Sequence, residues 1–132
     1  MNPNRRPTYL PDQLEAKRSQ LASLQASVVM LRICRYYGVR MKVIKTRKRD
    51  GQTAEARLVA LYFMTVNMSL SLGYIGMACL RDHTTAIYAR DTIEELIKVD
   101  SVFRRRIIRI GFKLINQQHE NTDNRTSNGA AA

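Results

Sequence analysis

Apolar side chains recur along this chain at intervals of three and four, and no stretch alternates apolar with polar over a strand's length. From Asp12 to Val29, Leu14, Leu21, Leu24 and Val28 keep helical spacing among polar neighbours and predict a helix with a thin stripe. Val29, Ile33, Tyr36 and Tyr37 share the next face, and Gly38 reads as its C-terminal stop. The segment "VRMKVIKTRKRDGQ" breaks the periodicity and reads as a basic loop. Thr53 looks like the N-cap of "AEARLVALYFMTV", with Leu58, Leu61, Tyr62 and Val66 on one side. Ser71 caps a short "LGYIGMAC", a tight "LR" follows, and "RDHTTAIYARDTIEEL" then forms a longer helix with Ala86, Ala89, Ile93 and Leu96 inward. After "VDS" comes a last helix, "VFRRRIIRIGFKLINQQ", striped by Phe103, Ile107, Ile110 and Leu114. The polar end, residues 118–132, reads as a disordered tail. The expected fold is all-α, a compact helical domain.

Composition narrows the picture. A chain of 132 residues favours one domain with a modest core. All three prolines fall at positions 3, 7 and 11, which predicts an extended N-terminal arm ending where Pro11 opens a helix. Lys and Arg number 22 against 11 acids, a net charge of +11, and such an excess calls for a polyanionic partner. Cys34 and Cys79 lie far apart among apolar residues and read as reduced core thiols. No uncharged apolar run approaches the roughly 20 residues of a membrane span, and no apolar segment follows the N-terminal arginines as a signal peptide requires. The cytoplasm, at the nucleoid, is the expected compartment, with no membrane association.

The run Asp82, His83, Thr84, Thr85 invites a catalytic reading. Neighbours on a helix point about 100° apart, so Asp82 cannot readily orient His83 for nucleophilic catalysis. His119, the other histidine, lies in the polar tail, and no glycine-rich phosphate loop is present. One usable histidine with dispersed acids supplies no metal site. The expectation is therefore neither an enzyme nor a cofactor protein. A short helix, a tight turn and a longer helix make a helix-turn-helix, which sets its second helix into the major groove of DNA. Arg81, Asp82, His83, Thr84, Thr85 and Tyr88 would then face outward, with groups suited to base edges and phosphates. Asp82 would serve as a helix cap as well as a base reader.

The run from Tyr36 to Leu96 resembles the C-terminal DNA-binding domain of the bacterial chromosomal replication initiator DnaA. That family's signature, G-R-D-H-T-T-V, opens its recognition helix, and this chain has "RDHTTAIYA". "RYYGV", the basic "KTRKRDGQTAEAR", "LVALYF", "SLGYIG" and "TIEEL" match in order. The resemblance implies a Trp-repressor-like helix-turn-helix and assigns base contacts to Asp82, His83, Thr84 and Thr85. It implies a minor-groove role for Arg49 and places Arg57 at phosphates and bases on the edge of the site. Arg47, Lys48, Lys45, Arg81 and Tyr88 complete the expected backbone or flanking contacts. The family's Arg-Gln pair is Arg57-Leu58 here, and its Gly-rich turn is a shorter "CL". Both differences bear on helix tilt and sequence preference.

Between residues 32 and 49 lie eight cations and no acid, suited to neutralising phosphates without reading sequence. A second cluster, Arg104, Arg105, Arg106, Arg109 and Lys113, leaves DNA, another acidic surface or simple solvation open. The expected division is an arm and extra helix over 1–28, the DnaA-like domain over 29–98, a basic amphipathic helix over 99–117 and the tail over 118–132. Residues 1–28 or the C-terminal helix would serve a protein partner or dimer. The initiator's ATPase is absent from this sequence, so the expected function is sequence-specific binding of double-stranded DNA at a DnaA-box-like site. Such a protein would be a small regulator of replication initiation or transcription. The alternative is a scaffold whose helix-turn-helix binds an acidic protein.

Overall fold

The computed structural model describes residues 6–131, with side chains from 6 to 116. The described residues form eight helices and no strand: α1 (Asp12–Glu15), α2 (Arg18–Ala22), α3 (Ala26–Tyr37), α4 (Met41–Ile44), α5 (Gly51–Met64), α6 (Leu72–Met77), α7 (His83–Val99) and α8 (Ser101–Ala131). The fold is all-α, as the spacing predicts.

At its centre lies α5. From Val59 to Met64 every side chain is buried, because "VALYFM" offers no polar face to water. The one-sided stripe expected for this helix is therefore corrected to burial all round, with α3 and α7 packed against it. Its N-cap is Asp50, not Thr53: the Asp50 carboxylate accepts from the Thr53 backbone N–H at 3.1 Å, and Thr53 itself is buried. Carboxylate capping serves where threonine was expected because the aspartate stands three residues ahead of the free N–H it satisfies.

The expected helix from Asp12 to Val29 is three pieces. Lys17 leaves helical geometry between α1 and α2, and the chain turns again at Ser23–Gln25, where Asn67 Nδ2 donates to the Leu24 carbonyl. Within the basic segment a four-residue helix, α4, forms where a loop was expected; it buries Ile44 against the core. As expected, Gly38 closes α3 in the left-handed region at φ 68°, with Val39 N–H bonded to the Cys34 carbonyl. Cys34 and Cys79 are buried free thiols, and burial pushes the Cys79 thiol up to about 11.

Residues from Arg6 onward do not form a loose arm. Leu10, Leu14 and Leu21 join the same core as α3, α5 and α7, so the boundary expected at residue 28 divides a continuous core. Buried Thr8 donates to the Thr65 carbonyl at 2.9 Å, and Tyr62 Oη donates to the Tyr9 carbonyl. The buried Glu94 carboxylate of α7 accepts from the Tyr9 backbone N–H at 2.6 Å and pairs with Arg6 at 2.7 Å. A single residue, Asp100, separates α7 from α8, and its carboxylate caps α8 at the Phe103 N–H (3.0 Å). On α8, Phe103, Ile107, Ile110 and Leu114 are buried as expected, and Gly111 lets α1 approach: a Cβ there would stand 2.5 Å from Leu14. The helix runs on to Ala131 through the segment expected to be a disordered tail; no proline interrupts it. The remainder of the arm, residues 1–5, lies outside the described residues.

Candidate nucleic-acid interface

Helix α6 and helix α7 pack closely through a turn spanning Ala78 to Asp82. Ser71 caps α6 as expected, its hydroxyl accepting from the Tyr74 N–H at 3.1 Å. Gly76 makes the close packing feasible. A Cβ on it would stand 2.1 Å from the Asp82 carbonyl oxygen, a separation no side chain tolerates. The Gly76 carbonyl also accepts from the Arg81 and Cys79 N–H groups, at 2.9 and 3.1 Å. To close so short a turn, Leu80 adopts φ 57°, and it is the one non-glycine residue with positive φ among those described. Left-handed backbone costs an L-residue roughly 1–2 kcal/mol, so the shortened "CL" turn is achieved at the expense of strain.

Asp82 is the N-cap of α7. Its carboxylate accepts from the Thr85 backbone N–H at 3.2 Å and from the Thr84 hydroxyl at 2.5 Å. The Thr84 hydroxyl, then the Thr85 N–H, hold this carboxyl below its ordinary value. His83, Thr84 and Tyr88 stand exposed, and Thr85 is half-buried beside them. The His83 ring and the Tyr88 hydroxyl have no hydrogen-bond partner among the described residues. Inward, Ala86, Ala89 and Ile93 are buried as expected; Ile97 takes the place expected of Leu96, which is half-buried. Further along the outward stripe, Asp91 and Glu95 are exposed. Asp91 is paired with Arg6 at 2.7 Å and Arg90 at 3.2 Å, whereas Glu95 has no ion pair among the described residues and would repel phosphate.

Beside that helix end lies the basic loop, and two arginines build it from within. Arg57 is buried, not outward as the resemblance implies. Its Nε donates to the Ile44 carbonyl at 2.9 Å, and its Nη2 to the carbonyls of Thr46 (2.9 Å) and Lys48 (3.1 Å). Burial first, then the charge of Arg81, push its pKa down, but a guanidinium stays protonated regardless. Arg81 Nη2 donates to the same Thr46 carbonyl at 2.8 Å, and Nη1 to the Cys79 carbonyl at 2.9 Å. Arg81 too is therefore a strut rather than a free cation. With its carbonyls drawn inward, the loop turns Lys45, Arg47, Lys48 and Arg49 to solvent, all exposed. Lys48 reaches Asp50 at 3.8 Å, while Arg49 has no ion pair among the described residues. Arg47, Met77, Leu80, Arg81 and His83 line one open depression, which joins loop, turn and helix end into a single surface.

Tyr74, Met77 and Leu80 are exposed on α6 and the turn, beside these cations. Sequence reasoning passed over them because apolar residues in "LGYIGMACL" suit a core helix. The available signal was that Leu72 and Ile75 already supply the inward face.

A short helix, a strained tight turn and a longer helix with its first turns free beside a cationic loop define a helix-turn-helix protein, a DNA-binding class of domain. Residues 26–93 match the family described as the bacterial dnaA protein helix-turn-helix, and the chain belongs to that family. It is 30% identical over 93 residues to the chromosomal replication initiator protein DnaA of Thermoanaerobacter sp. (strain X514), covering 70% of this chain and 21% of that protein. With DnaA of Caldanaerobacter subterraneus subsp. tengcongensis it shares 32% over 84 residues (64% and 19%), and with that of Aquifex aeolicus 40% over 73 residues (54% and 18%). The chain thus spans about a fifth of the length of these relatives.

Proposed function

We propose that this protein binds double-stranded DNA in a sequence-dependent way and acts as a small regulator of replication initiation or transcription. The observation that carries the reading is the joined surface of α7 and the loop. Asp82, His83, Thr84 and Thr85 present acceptors, donors and methyl groups at a helix end narrow enough to enter the major groove. Lys45, Arg47, Lys48 and Arg49 flank it as phosphate contacts, with Arg49 free to reach the neighbouring minor groove. The exposed acid Glu95, more than three turns into α7, favours entry by the N-terminus over lying along the groove. Asp82 contributes by fixing the helix start and keeps its remaining acceptor capacity for a cytosine amino group. Sites resembling the DnaA box are the natural targets, since the "RDHTT" reading residues are those of the family signature.

The test is selection of duplexes from a randomised library with the full chain, followed by gel shift on the enriched site. Enrichment of one motif, bound more tightly than its scrambled form, supports the reading. Weak binding without enrichment contradicts it and favours a scaffold that engages an acidic protein.

A further inference from the structure

Helix α8 carries a second cationic surface on the side turned away from the core. From Ser101 to His119 the sequence holds five cations and no acid. Two of the five are already engaged. Arg104 donates to the Ile97 and Lys98 carbonyls at the end of α7, at 2.7 and 3.1 Å, and Arg106 pairs with Glu55 of α5 at 2.7 Å. The other three, Arg105, Arg109 and Lys113, are exposed and without an ion pair among the described residues; only a long 3.4 Å contact ties Arg105 to the Ser101 carbonyl. Spaced four residues apart, they form one stripe with a charge about every 6 Å along the axis.

The inner face of α8 packs on α1, α2, α3 and α7, and the stripe lies on the exposed side of the helix. The chemistry of the stripe selects phosphate over a protein surface. Protein interfaces are anchored by aromatic and apolar side chains and are depleted in lysine. Val102 is exposed on α8, and Ile108, Phe112 and Ile115 are half-buried. Three cations on one stripe, with no ion pair among the described residues, match a sequence-independent phosphate track.

We propose that Arg105, Arg109 and Lys113 hold the phosphates of a second duplex segment, so that one molecule bridges two pieces of DNA. The bridge rests on the DNA-binding reading above: α7 and its loop hold the first segment, α8 the second.

The experiment uses the full chain, a biotinylated duplex carrying the selected site on beads, and a labelled duplex of unrelated sequence in solution. The wild type is expected to retain the immobilised duplex and capture the free one. Arg105→Ala/Arg109→Ala/Lys113→Ala should bind the immobilised duplex with little change and lose capture by roughly tenfold or more at moderate salt. Circular dichroism and mass in solution check that the variant keeps its fold and oligomeric state. Capture unchanged in the triple variant would overturn the proposal, as would a wild type that binds the first duplex but captures no second; the α7 reading survives both. Failure to bind even the first duplex sinks both readings together. Vesicles containing phosphatidylglycerol form a second arm: loss of vesicle binding in the variant with capture unaffected assigns the stripe to a membrane surface and overturns the bridge.

Discussion

Leu80 and Arg57 show how much of this interface depends on backbone conformation and buried struts. Leucine at φ 57° is strained, and its side chain is mostly exposed, so it recovers little by packing. Leu80→Gly is expected to raise stability by roughly 0.5–1 kcal/mol, after the greater freedom of glycine in the unfolded chain offsets part of the relief. Leu80→Val should lower it, since β-branching aggravates positive φ; thermal melts of the pair read the sign directly. Arg57 contrasts with Arg49. Arg57→Ala removes a charged donor from three carbonyls and should cost roughly 2–3 kcal/mol, lowering the melting temperature and loosening the loop. Arg49→Ala should leave the melt unchanged and reduce the magnitude of the log–log salt slope of DNA binding by about 0.9, one phosphate's worth. Asp82 adds a pH dependence. Its folded pKa lies below the ordinary carboxylate value, so its contribution is present above that value and is lost as pH falls through the folded pKa. The start of α7 should therefore fray in acid, seen as a lower protection factor of the Thr85 amide relative to its intrinsic exchange at the same pH.

The α6–turn–α7 unit owes its geometry to one missing methyl. Gly76→Ala places a Cβ against the Asp82 carbonyl, so the turn must open, at a cost of about 1–3 kcal/mol or more and with α7 re-aimed. The segment Arg6–Leu10 acts on the same helix from the other side, through Glu94. Glu94→Ala should release the Tyr9 N–H and leave Arg6 held by Asp91 alone, exposing the arm to limited proteolysis before the core unfolds. At this scale the sequence was legible where periodicity and caps act locally. Gly38, Ser71, the inward Ala86–Ala89–Ile93 face and the α8 stripe all follow from spacing of three and four. It was illegible where a tertiary partner decides. Nothing local marks Arg57 and Arg81 as struts, because the carbonyls they satisfy lie up to 35 residues away. Nor does local pattern show that "VALYFM" is enclosed on every side, or that Glu94 is buried by an arm 85 residues distant. The short α4 escaped because a four-residue helix leaves no period to count.

Among the described residues, exposed cations gather at a loop and helix end and along an α8 stripe, while Asp50, Asp82 and Asp100 serve as caps and Glu55 and Glu94 sit in internal pairs. The motif "RDHTT" pointed to the first candidate surface from sequence alone, since Asp82, His83 and Thr84 are adjacent and exposed. The loop's contribution was visible only as a charge run, and its rigidity became apparent once Arg57 and Arg81 were seen to converge on Thr46. The central claim is that the first turns of α7 read sequence while the loop supplies affinity. Its most direct test is equilibrium binding of wild type, His83→Ala and Thr84→Ala to the selected duplex and to its scrambled counterpart. A loss of about 1–3 kcal/mol for each base contact is expected on the selected duplex and almost none on the scrambled one. Equal losses on both would contradict the claim.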